Sequence, residues 1–432
     1  MNLVEWDSLN AEQRADVLRR PRMESDQKLQ TVVSDIIERV RVEGDAAVLD
    51  YTREFDAVDP EALWQSSDDF EALPADLDRA IDQAIATVTA FHQRSKPEDF
   101  KLETAPGVVC EARWVALDPV GLYVPAGSAA LPSTAIMLAV PARLAGCEQI
   151  VLATPPNRAG KADPAVLAVA NKLGIEQVLV AGGAQAIAAM AWGTESVPAC
   201  VKLFGPGNRF VAEAKRQAAM DVDGAAQDLP AGPSEVMVIA DDQARPDWVA
   251  IDLLSQAEHG PDSQVILVTD SQVLADQVKD HVEALMDKLP RRKTVVKSLQ
   301  SASIVLLKDI KESISVSEQY APEHLIIQTE SAEELSRGMR SAGSIFLGPY
   351  TPESLGDYVS GTNHTLPTGG WARVHSGLST VDFMRRMTVQ QATAAGLKQL
   401  GPAASRLASH EGLDAHRLAV DLRLQVLESD SE

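Results

Sequence analysis

Between residues 149 and 205 short apolar runs rich in β-branched residues alternate with longer segments of helical periodicity. QIVLAT is followed by AVLAVANKLG behind Pro164, then EQVLVAG, AQAIAAMAWG and ACVKLFG. That order reads as βαβαβ, which requires a parallel sheet with right-handed crossovers. A second series follows Gly232-Pro233: EVMVIAD, a helix from Pro246 to His259, SQVILVTD, a long helix over 271–288, SIVLLKD, a short helix, HLIIQT, another helix and SIFLG. The first hundred residues read as helical, as in SDQKLQTVVSDIIERVRVEG, with Gly44 as a stop. From about Val381 the β-rich runs cease, and the chain reads as helix punctuated by Gly401-Pro402. The predicted fold class is α/β: two Rossmann-like doubly wound parallel-sheet domains with helical N- and C-terminal extensions. The expected division is an N-terminal arm over 1–20, a first α/β domain from 21–122 and 236–380, a second over 123–235, and a helical tail over 381–432.

Length agrees with several domains, since 432 residues exceed one ordinary core of about 100–200. No stretch approaches the roughly 20 apolar residues of a membrane span, and MNLVEWDSLNAEQRADVLRR lacks the basic start and apolar run of a signal peptide, so a cytoplasmic protein is expected. Cys110, Cys147 and Cys200 are odd in number and without C-x-x-C spacing, which argues against a disulfide framework or a thiolate zinc site. With 39 basic against 62 acidic residues the chain carries a net charge of −23, so it repels polyanions, and nucleic acid is a poor partner.

Candidate chemistry is sparse and spread out. No G-x-G-x-x-G lies between a strand and a helix; Gly205-Pro206-Gly207-Asn208 comes nearest, and it reads equally as an anion-facing helix start or a plain tight turn. In PDWVAIDLLSQAEHG, Ala250, Leu253, Leu254 and Ala257 form the apolar stripe, and Gln256 and His259 share a face off it. Such a pair is either two ligands for a divalent metal or ordinary solvated side chains. Glu323 and His324 follow Tyr320-Ala321-Pro322 at a strand entrance, where they supply two proton-transfer groups or merely cap the strand. The Gly-, Pro-, Ser- and Thr-rich stretch after Gly348 reads as a long ordered loop carrying Asp357, His364 and His375. In the tail, Glu411 and His416 fall only approximately on one helix face; His410, His92 and His281 receive no role.

Taken in order, PVGLYVPAG, GPGNRFV, DLPAGPSEVMVIAD, LLSQAEHGPDSQ, YAPEHL, ESLGDYVSGTNHTLPT, SGLSTVDF and EGLDAHRLA resemble the histidinol dehydrogenase family, from about residue 20 to the end. The resemblance implies NAD-dependent oxidation of L-histidinol to L-histidine through L-histidinaldehyde, the last step of histidine biosynthesis, in a homodimer with one zinc per subunit. It implies zinc ligands at Gln256, His259, Asp357 and His416, the last reaching the partner subunit's site. Glu323 then activates water and His324 acts as general base. Tyr123, Gln185 and Asn208 match NAD-binding positions, which makes 123–235 the NAD-associated domain. Ser234, His364 and Glu411 match substrate contacts, together with His324 and the zinc ligands. An alcohol-to-acid conversion needs two oxidations with water addition between them, which accounts for both a proton acceptor and a water activator. Phe210, where Tyr is expected, and Glu318, where Asn is common, depart from the family pattern outside the matched positions.

Three other readings compete. A related zinc and NAD dehydrogenase acting on a polar diol such as sulfopropanediol would need a cationic pocket for its head group, whereas Glu411 and His364 suit an amine and an imidazole. A zinc hydrolase would use Glu323 on water without NAD. A non-catalytic NAD-binding module would need neither Glu323 nor His324.

Overall fold

The computed structural model describes residues 1–20, 27–60, 62–126, 130–230 and 232–429. The far side of the expected arm boundary at 20/21, Gly127 of PVGLYVPAG and Ala231 of DLPAGPSEV lie outside the described residues.

The run EVMVIA becomes the strand Glu235–Ala240 at the middle of a six-stranded parallel sheet. Its order is Asn2–Glu5, Ser303–Leu306, Gln264–Thr269, Glu235–Ala240, His324–Gln328, Ser344–Leu347. Successive side chains of a strand point to opposite faces, and here both faces are covered. Val236 and Val238 enter a core with Leu253 and Leu254 of the helix Pro246–Ala257, while Met237 and Ile239 enter a second core with Val316 and Tyr320. The continuous apolar runs follow from this double burial.

The second sheet has the order Trp64–Ser66, Gln177–Val180, Ile150–Thr154, Val120–Tyr123, Lys202–Phe204, Ala226–Gln227, parallel except for the first strand. Both sheets are doubly wound, as the sequence predicts. The direction of winding in the second reverses between Val120–Tyr123 and Lys202–Phe204, which opens a crevice beyond the C-terminal ends of those strands.

Three expectations need correction. The helices Gln27–Glu43 and Ala75–Arg94, expected with the first domain, pack on the second sheet: Val33, Ile36 and Val40 share a core with Ile187 and Met190, and Ile81 and Val88 share one with Leu122 and Leu138. The N-terminal hundred residues are not all helical, since Asn2–Glu5 and Trp64–Ser66 are strands at sheet edges, too short to show a period. The tail opens with a strand, Met384–Ala392, paired antiparallel with Val108–Ala116, which pairs in turn with Phe100–Ala105. That strand is exposed along most of its length, so no apolar alternation marks it. The helix Ala394–His410 then runs through Gly401-Pro402 without stopping, and at Gly401, where a side chain would crowd Val420 and Leu424, it packs closely against the helix Asp414–Ser429. No helix among the described residues is long and apolar enough to cross a membrane.

Candidate active site

A cleft of about 450 Å³ separates the two sheets at edges of opposite polarity. One wall is the C-terminal edge of the second sheet, through Gly205, Pro206 and Gly207. The other is the N-terminal edge of the first, where Ser234 precedes one strand and Glu323 and His324 begin its neighbour. His259, Asp357 and His364 complete this second wall.

Glu323 and His324 are not exposed strand caps, for they are only 5% and 3% exposed. The chain reaches them through Ala321, held at φ +54°, a left-handed conformation that costs energy for a residue with a Cβ and is often found at functional sites. Oε2 of Glu323 accepts the N–H of Glu235 at 2.8 Å, and Nδ1 of His324 lies 3.1 Å from the carbonyl oxygen of Glu235. Burial pushes the Glu323 carboxyl up to about 7. Burial alone would lower His324, but Glu353 at 3.8 Å, Glu323 at 3.6 Å and Asp357 at 3.6 Å outweigh it and raise the imidazole well above its usual range.

The loop expected after Gly348 contains a short helix, Glu353–Tyr358, which puts Glu353 and Asp357 one turn apart on the side facing His324. Burial lifts the Glu353 carboxyl to about 8; for Asp357 burial acts in the same direction but loses to His324, and its carboxyl falls below the usual value. His364 and His259 are both pushed down, chiefly by the loss of surrounding water. His259 nevertheless stays open to the cleft, just past the end of the helix Pro246–Ala257 rather than within it. Gln256 is fully buried behind it, with Nε2 at 3.1 Å from Nδ1 of His259 and Oε1 without a hydrogen-bond partner. The bland reading of this pair as two solvated side chains therefore fails for Gln256. His375 packs edge-on to Trp371 and does not line the cleft.

Behind the opposite wall, Tyr123 ends its strand and its hydroxyl accepts the N–H of Gly183 at 3.1 Å. Burial pushes that hydroxyl up to about 12. Gln185, two residues on, is buried with Oε1 unpartnered. Asn208 caps the helix Arg209–Met220 by accepting the N–H groups of Phe210 and Val211. These three side chains do not themselves line the cleft.

Comparison with known proteins decides the family. The histidinol dehydrogenase family model matches residues 18–424. Among curated proteins, the histidinol dehydrogenase of Idiomarina loihiensis is 50% identical over 434 residues, covering 100% of this chain and 98% of that one. That of Vibrio parahaemolyticus is 49% identical over 431 residues, covering 99% of each. The crystal structure of histidinol dehydrogenase from Elizabethkingia anophelis superposes with a TM-score of 0.95 at 41% identity, covering 99% of both chains. The chain belongs to the histidinol dehydrogenase family. It is therefore an oxidoreductase of the dehydrogenase class.

Within a histidinol dehydrogenase framework, the donor set implied for zinc can be checked against this chain. Three of its four members fit. Gln256 offers a buried oxygen that nothing else binds, His259 an imidazole held in its neutral range, and Asp357 a carboxylate held ionised. His324, Glu353 and Asp357 form a further group whose ligand atoms lie within 4.8 Å of one another. The fourth expected donor, His416, and the expected substrate contact Glu411 are both exposed and absent from the cleft lining. Glu411 ends the first tail helix and His416 lies in the first turn of the second.

Sequence reading missed three residues that shape this site. Glu235 binds Glu323 and His324 through its backbone, and Arg20 grips the Glu235 carboxylate with bonds of 2.5 and 2.8 Å. Glu353 sits beside His324. A single acid heading the apolar run EVMVIA, and the four-residue spacing of Glu353 and Asp357, were the available signals; Arg20 left none.

Proposed function

We propose that this chain oxidises L-histidinol to L-histidine with two NAD molecules, through L-histidinaldehyde, as the last step of histidine biosynthesis in the cytoplasm. The convergence of Glu323, His324, Asp357, His259, His364 and Ser234 on one cleft, opposite the Gly205–Gly207 turn, carries this reading. Domain roles follow from the two walls, with 123–235 taking the dinucleotide and 236–380 supplying the catalytic and metal-binding groups.

His324 is the general base. A backbone carbonyl only accepts, so in the neutral ring the 3.1 Å contact to Glu235 puts the proton on Nδ1 and leaves the lone pair on Nε2, 3.6 Å from Oδ1 of Asp357; the surrounding carboxylates favour the protonated ring, and a cation held on Asp357 would weaken that hold and free the base. Nε2 takes the hydroxyl proton of histidinol as hydride leaves the carbinol carbon. Glu323, ionised above about 7, then takes a proton from the water that adds to the aldehyde; His324, once it has released its first proton to solvent, takes the hydroxyl proton of the resulting hydrate as the second hydride leaves. Ser234 and His364 lie where they can hold the amine and imidazole of the substrate. Tyr123, Gln185 and Asn208 support the dinucleotide wall.

Gln256, His259 and Asp357 would hold zinc together with His416 of the partner subunit. Bound there, zinc supplies a Lewis-acid anchor that orients the amine and imidazole of the substrate. The exposed tail supports a homodimer: Leu407, Leu418, Leu422 and Val426 are large apolar side chains left open to solvent, and the helix Asp414–Ser429 buries none of its residues within the chain. A tail laid over the partner would bring Glu411 and His416 to its cleft.

The test is an assay of purified protein with zinc, histidinol and NAD, in which about two NADH are expected per histidinol consumed. Absence of NADH would exclude the dehydrogenase reading.

A further inference from the structure

The turn after the strand Lys202–Phe204 is held by charge. Gly205 has φ +115°, and a Cβ there would collide with the carbonyl oxygen of Tyr123, so only glycine fits. Its N–H donates to Oδ2 of Asp228 at 2.7 Å, and its carbonyl accepts from Nζ of Lys215 at 2.9 Å. Lys215 and Asp228 also pair with each other, at side-chain exposures of 4% and 3%.

Burying such a pair costs about as much solvation as the attraction returns, and two apolar side chains would serve stability as well. The charges supply orientation instead. They grip both backbone polar groups of one residue, and Lys215 stands on the same helix, Arg209–Met220, that Asn208 caps. Strand end, turn and helix start thus form one rigid corner, and its exposed side is the Gly205–Gly207 wall of the cleft.

We propose that Lys215 and Asp228 are positioning residues for the dinucleotide: by fixing Gly205 they hold the backbone of Gly207 and Asn208 in the arrangement that receives NAD. This rests on the reading of that wall as the NAD site. Each nitrogen and oxygen of the pair is engaged within this corner, and although Asp228 borders the cleft it does so on the Gly205–Gly207 side, so the effect is expected on the cofactor.

The test compares two double variants, since removing one charge alone strands the other in the interior. Lys215→Met/Asp228→Ala should fold, bind zinc and histidinol as before, and bind NAD about tenfold more weakly, with kcat at saturating NAD within about twofold. Lys215→Met/Asp228→Asn should recover part of the NAD affinity, because the asparagine oxygen still accepts the Gly205 N–H. Unchanged NAD affinity, equal losses for NAD and histidinol, or failure of both variants to fold would each overturn the proposal. No NAD binding by the unaltered protein would instead overturn the parent reading, and the clamp with it.

Discussion

The carbonyl oxygen of Glu235 lies 3.1 Å from Nδ1 of His324, and the same residue's N–H donates to Glu323 at 2.8 Å. One residue on a neighbouring strand thus orients both side chains through its two backbone polar groups. The parallel register, with Val236 opposite His324, makes this possible, because it sets the starts of the two strands side by side.

Glu323→Gln should stop the reaction after the first oxidation. The amide cannot take a proton from water, so turnover to histidine should fall by about 10²–10⁴-fold while histidinaldehyde still forms. Trapping the aldehyde and counting NADH per histidinol checks this. The pH dependence has a definite sign. With the carboxyl raised to about 7, Glu323 is protonated below that value and ionised above it, so aldehyde oxidation should rise as pH increases through about 7.

Arg20→Met should destabilise the fold more than loss of a surface arginine normally would, since the Arg20 side chain is only 21% exposed. Among the described residues it leaves the Glu235 carboxylate, 2% exposed as a residue, with the Gly369 N–H as its remaining hydrogen-bond donor. An orphaned buried charge costs about 3–5 kcal/mol, and urea unfolding should show a loss near the lower end because Gly369 stays. A loss under about 1 kcal/mol would mean that the carboxylate finds water.

Asp252→Asn should stabilise the protein, and more so at high pH. Burial lifts the Asp252 carboxyl to about 7 against 3.8 ordinarily, so the folded state holds a proton that the unfolded chain releases. Stability from this group is greatest below the ordinary value, declines as pH rises from about 4 to 7 and then levels off. Asparagine retains an acceptor for Nε2 of Gln328, which donates to Asp252 at 2.6 Å. The gain, on the order of a few kcal/mol, should appear at pH 8 and nearly vanish at pH 4.

Mixing His416→Ala subunits with His324→Ala subunits should regain activity. Each homodimer lacks one function at both sites, whereas a mixed dimer has one complete site if the tail serves its partner, giving up to about half of normal activity. Parent-like inactivity in verified mixed dimers would count against shared sites. His416→Ala alone should lower the zinc content of purified protein.

The two sheets were legible because their strands are buried on both faces and read as unbroken apolar runs such as EVMVIA and QVILVT. Elements without that burial were not: Met384–Ala392 is mostly exposed, and Trp64–Ser66 is too short for a period to register. Side-chain chemistry was legible where neighbours in sequence are neighbours in space, as with Glu323 and His324. It was hidden where the fold joins distant positions. Arg20 meets Glu235 across 215 residues, and no local pattern marks that meeting. The assignment of the helices Gln27–Glu43 and Ala75–Arg94 to the wrong sheet has the same origin, since amphipathic helices show that they pack but not on what.

The residues of all four apolar cores lie at or before Met384. Everything beyond hangs from one antiparallel ladder, Met384–Ala392 on Val108–Ala116, and its two helices pack mainly on each other. The apolar cores and the exposed tail helices are thereby written in separate stretches of chain. In the dimer proposed above, a subunit would complete both sheets before it meets another, and the tail would work as a handle whose surface can change to alter the choice of partner without disturbing the body that carries it.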